Sequence, residues 1–135
     1  MSWDLFVQEI PATAMGIDEI PEHFAPGPIG RRSAVLDVIG DVAPFADRSD
    51  ASWVRIEGPT FSVEVDLGTD EELKSFALHV RGADESIGFV AEILGRLGLR
   101  ALDPGSETGI FDPTSAAASL AAWRAYRSQV LGQSG

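Results

Sequence analysis

Residues 61–68 and 73–82 form two runs of near-strict apolar/polar alternation, joined by the acidic stretch Asp70-Glu-Glu72. Alternation has a period of two, so Phe61, Val63, Val65 and Leu67 point one way while Ser62, Glu64 and Asp66 point the other. In the second run Phe76, Leu78 and Val80 oppose Ser75, Ala77, His79 and Arg81. This predicts a β-hairpin with one wet face, within a sheet covered on one side only, because strands buried on both faces read as continuous apolar runs. The three acids of the turn read as solvated.

Residues 3–9 predict a first strand, with Trp3, Leu5 and Val7 on one face and Phe6 on the other, stopping near Pro11. Over 10–30, four prolines (Pro11, Pro21, Pro26, Pro28) predict a long connection without regular helix, apart from a single turn at 16–20. Ile17, Ile20 and Phe24 are its candidate anchors. A helix follows over 30–42, where Val35, Ile39 and Val42 share a face with Val38 beside them and Pro44 lies beyond the end. Gly40 weakens it, since glycine inside a helix costs about 0.5–1 kcal/mol relative to alanine. Residues 53–57 read as a short strand pairing with 61–67.

Beyond the hairpin, Asp84 is placed to cap a helix over 85–97, with Ile87, Val90, Ala91, Leu94 and Leu97 on one face and Gly98 at the C′ position. A short strand at 99–102, a turn at 103–106 and a return at 108–111 come next. A last helix is predicted over 114–131, presenting Leu120, Trp123, Arg127 and Val130 with Tyr126 alongside. The order argues for one α+β domain spanning 1–135, with its core in 1–112. Its architecture is a two-layer sandwich: a four- to five-stranded, mostly antiparallel sheet with two helices on one face, broadly ferredoxin-like, plus the C-terminal helix.

Composition narrows the function. The chain of 135 residues has 21 acidic and 10 basic side chains, a net charge of −11. Residues 1–30 hold five acids and no Lys or Arg. Nucleic acid is disfavoured as a partner, because binding phosphates needs a cationic surface and the basic groups here are only pairs such as Arg31-Arg32. The field favours a basic protein partner, or serves solubility alone. No cysteine is present, which removes disulfides, thiolate metal sites and cysteine nucleophiles and fits a reducing compartment. The start of the chain has no basic segment ahead of its apolar residues, and no apolar run approaches the roughly 20 residues of a membrane span. Cytoplasmic residence without membrane contact is the expectation.

Catalytic signatures are sparse. Two histidines, His23 and His79, lie in separate elements without a metal-ligand spacing, so no metal or cofactor is expected. Gly95-x-x-Gly98 falls late in a helix, the reverse of a phosphate loop, and Gly105-Ser-Glu-Thr-Gly109 lacks a strand-to-helix elbow. No catalytic residue is assigned. Two surface clusters remain. Glu64, Asp66, His79 and Arg81 share the hairpin's polar face, as cross-strand ion pairs or as a binding or proton-transfer patch. Trp53, framed by Asp47, Asp50 and Glu57, has the form of an interface anchor, an aromatic within a polar rim, with edge packing as the alternative.

Several runs (Met1-Ser-Trp-Asp4, Pro28-Ile-Gly-Arg31, Asp47-x-Ser-Asp50-x-x-Trp53, His79-Val-Arg-Gly82 and Leu97-Gly-x-x-Ala-Leu-Asp103) resemble a group of small acidic bacterial proteins. Arg48 and Ala51 stand where that pattern has Trp and Pro. The group is similar in general character to immunity proteins, which are small, acidic and often single α+β domains. It supplies no catalytic residue. The resemblance implies a non-enzymatic protein-binding domain that neutralises a basic partner. The other readings are a small-ligand binder or minor enzyme using the open sheet face, and a homodimer module joined through the third helix.

Overall fold

The computed structural model describes residues 3–82 and 85–112. The chain runs β1 (Trp3–Gln8), a 3-10 turn (Ile17–Glu19), β2 (Gly30–Arg31), α1 (Arg32–Val42), β3 (Trp53–Glu57), β4 (Phe61–Asp66), β5 (Glu72–Leu73), β6 (Ser75–Gly82), α2 (Glu85–Leu97) and β7 (Arg100–Leu102). Five strands form one sheet in the order β3-β4-β6-β1-β7, with every neighbouring pair antiparallel. The described residues are thus α+β, an open antiparallel sheet with two α-helices. Three long strands separate the helices, one more than in a β-α-β-β-α-β chain. The predicted cap Asp84 and the predicted helix over 114–131, with Trp123, lie outside the described residues.

Alternation sorts the sheet. Leu5, Val7, Val54, Ile56, Val63, Val65, Leu78 and Val80 are fully buried, and Val35 and Ile39 of α1 join them with Ile87, Val90, Ile93 and Leu94 of α2. Both helices therefore cover the same face. Ile93 was absent from the expected face of α2; the helix packs against α1 as well as the sheet, which widens its buried stripe. Phe61, expected inside, is half-buried at the start of β4, where its ring stacks on Phe89 of α2 at 5.3 Å.

The ends of the helices rest on distant groups. No side chain of α1 caps its own N-terminus. Instead the β2–β5 pair brings Glu71 alongside: its carbonyl accepts from the Arg32 amide at 2.7 Å and its carboxylate from the Ser33 amide at 3.0 Å. Glu71, read from sequence as merely solvated, supplies the missing cap. The Arg48 guanidinium lies over Gly40 of α1, donating to the Leu36 carbonyl at 3.3 Å, and is the nearest group that a Cβ on residue 40 would meet. At the end of α2, Gly98 adopts φ +65°, and the Leu99 and Gly98 amides donate to the Leu94 and Gly95 carbonyls. That pair of bonds is a Schellman cap.

The Pro-rich connection is anchored by Ile20, as expected, and by Ile10 and Ala14, which were not among the expected anchors. Ile10 and Ala14 are buried with Ile110 in a satellite cluster, flanked by Ile20 and Leu102. Ile17 is 54% exposed. Arg100 fastens the segment, donating to the Pro11 and Ala14 carbonyls at 2.7 and 2.6 Å. Segments without periodicity do not reveal which apolar residues turn inward. Nearby, the buried Asp103 carboxylate accepts from the Trp3 indole at 2.8 Å and the Gly105 amide at 3.1 Å, and the Trp3 ring packs against the main core beside Phe111.

Candidate functional site

The second face of the sheet collects the polar halves of five strands. One register step runs Arg55, Glu64, His79, Asp4, and the Asp47–Arg55 bridge extends it beyond the edge of β3. Acidic positions thus alternate with Arg55 and His79 from β1 to the segment beyond β3. Arg55 Nε stands 4.0 Å from Glu64 Oε1, and His79 Nδ1 lies 2.7 Å from Asp4 Oδ1. An ionised aspartate accepts only, so His79 Nδ1 is the donor in that bond. The side chains of Glu64 and His79 are 20% and 25% exposed, and those of Asp4 and Arg55 42% and 56%.

Trp53 reaches diagonally over β4, and its ring stacks on His79 with centroids 5.6 Å apart and planes 22° from parallel. The two clusters separated by sequence therefore form a single site. Of the predicted open-face residues, Glu64 and His79 face each other directly, whereas Asp66 opposes Ala77 and Arg81 opposes Ser62, each one step away along the strands. Glu57 shares the Ser62–Arg81 step at the other end of β3 from Trp53. Sequence reasoning missed Asp4 and Arg55. The signal was present, as each sits between inward-facing apolar neighbours (Trp3 and Leu5, Val54 and Ile56).

Asp47 and Asp50 shape the loop leading into β3. Asp47 accepts from the Ser49 hydroxyl at 2.7 Å and amide at 3.0 Å, and Asp50 from the Ser52 hydroxyl at 2.6 Å and amide at 2.9 Å. These paired Asx turns fold the loop against the exposed edge of β3, where Asp47 and Arg55 exchange backbone bonds. The serine hydroxyls, and then the amides, hold both carboxyls below the ordinary aspartate range, with Arg55 adding to the effect at Asp47. Glu71 is lowered likewise, first by its contact with Ser33.

A lowered native pKa means that the unfolded chain binds the proton more readily. The contribution is therefore complete above the ordinary carboxylate range and is lost as pH falls through the lowered native values. In an NMR titration, the Ser33, Ser49 and Ser52 amide protons should shift with midpoints below the ordinary glutamate value for the Glu71 contact and below the ordinary aspartate value for the other two. Midpoints at the ordinary values would remove these bonds from the solution structure.

Among the described residues, no group of three or more His, Asp or Glu is arranged to hold a metal ion. No helix among them is long and apolar enough to cross a membrane. No protein-family model, curated protein or solved structure matches this chain.

Proposed function

We propose that the protein is a non-enzymatic binding module, immunity-like in kind, that holds a basic partner protein on its open sheet face. The observation that carries this reading is the position of Trp53, laid across a ladder of alternating charge against His79. A large aromatic surrounded by a polar rim is the composition of an interface hot spot. The net charge of −11 adds long-range attraction for a cationic surface. A second reading, proton transfer at His79, is favoured by the Asp4–His79 bond, the pairing of a base with an orienting carboxylate. It is the weaker one: Ser62 and Ser75 face Arg81 and Gln8, so neither hydroxyl shares the register step of His79.

The test is capture from source-cell lysate on the immobilised full chain, followed by kinetics of the recovered partner across a salt series. Exposed charges are screened over about 8 Å at physiological ionic strength, so association should slow as salt rises. Trp53→Ala should weaken binding about thirtyfold or more, chiefly through faster dissociation. A partner that binds independently of both salt and Trp53, or the retention of no protein, would sink the proposal.

A further inference from the structure

The register step next to the charge ladder reads Trp53, Asp66, Ala77, Phe6, Leu102 across the five strands. It is apolar except for one carboxylate. An open groove of about 570 Å³ covers this step from Asp66 to Leu102 and continues past Gly68 and Ser75, with Trp53 beside it as the cross-strand neighbour of Asp66 rather than in its lining. Phe6 is 41% exposed, an unusual state for a phenylalanine in the middle of a strand. Beyond the backbone pairing of its strand, the Asp66 carboxylate makes no hydrogen bond or ion pair with any described residue. In this it differs from Asp4, Asp47 and Asp50, whose carboxylates are already engaged.

We infer that this groove takes an arginine side chain of the partner, with its stem on Phe6 and Ala77 and its guanidinium between Asp66 and Trp53. The inference rests on the binding reading above and names the chemistry of the anchor. Phe6 and Asp66 lie two strand spacings apart, about 10 Å, so an unbranched chain lying flat has apolar surface beneath its methylenes and a carboxylate at its tip. Trp53 is the direct cross-strand neighbour of Asp66, and one of its faces lies against His79. A guanidinium is planar, stacks on an indole and bonds a carboxylate with two parallel N–H groups. Lysine offers a compact, strongly hydrated point charge and gains little from the indole. The groove therefore discriminates by shape as well as by charge.

Hexa-arginine, hexa-lysine and hexa-citrulline peptides test this against the isotopically labelled full chain by NMR titration. Hexa-arginine should bind about tenfold more tightly than hexa-lysine, with the largest shifts at Phe6, Asp66, Ala77 and the Trp53 indole; hexa-citrulline, neutral but similar in shape, should not bind. Asp66→Asn should abolish the arginine preference. Asp41→Asn removes the same charge from the exposed side of α1 and should leave the preference intact. Equal affinity for the two cationic peptides, unchanged by Asp66→Asn, overturns the arginine groove while leaving the acidic binding surface standing. If neither cationic peptide binds even at low salt, both ideas fall.

Discussion

Replacing Leu78 with alanine is expected to lower folding stability by about 2–5 kcal/mol, a large share of the roughly 5–15 kcal/mol typical of a natural domain. Leu78 is fully buried on β6, the middle strand of five, and its direct partners Val65 and Leu5 are fully buried too. Strands on both sides and helices above leave little freedom for the site to collapse around the missing atoms, so the cavity persists. In urea unfolding, the midpoint should fall at constant slope. Ala77→Ser, one residue away on the open face, should change stability by no more than about 0.5 kcal/mol. Comparable losses from the two substitutions would contradict the assignment of one covered and one open face.

That contrast was legible before any coordinates, because alternation in 61–67 and 75–81 fixes which side chains share a face. The same property set β3 against β4 and left Phe6 outside. What could not be read is whatever depends on segments without a period. β2 and β5 are two residues each, too short to show alternation, yet their pairing brings Glu71 to the first turn of α1. The connection after β1 gave no sign that Ile10 and Ala14 would be buried while Ile17 stays largely exposed, since its packing is decided by Arg100 and Ile110 from the far end of the chain.

The site was legible in parts and not as a whole. Glu64 and His79 could be placed on one face from the hairpin alone. Trp53 was assigned to a separate acidic turn because the acidic residues nearest to it in sequence are Asp47, Asp50 and Glu57. Strand register joins it instead to His79, 26 positions along the chain, by carrying the indole over β4. Asp47 and Asp50 then prove to organise the loop that sets the start of β3. Their neutralisation therefore alters loop shape along with charge, which makes Asp66 and Trp53 the cleaner probes of binding.

The run His79-Val-Arg-Gly82 divides its residues between the two faces and the turn. His79 and Arg81 belong to the open face, Val80 is fully buried, and Gly82 ends the strand with φ +96°. A Cβ at residue 82 would fall on the carbonyl oxygen of Thr60 and stand 2.6 Å from the Phe61 Cα, both backbone atoms that no rotamer change can move aside. Gly82→Ala is therefore expected to combine the penalty of a left-handed alanine, about 1–2 kcal/mol, with overpacking of about 1–3 kcal/mol. The loss should total about 2–5 kcal/mol. Relief by displacement of the 58–61 turn would disturb the stacking of Phe61 on Phe89, so the perturbation should spread to α2. Thermal unfolding measures the loss, and backbone amide shifts locate it. The expected pattern is large shifts at residues 60, 61 and 89 with the Trp53 indole signal unmoved. A variant as stable as the parent would mean that the chain does not hold Gly82 in this conformation.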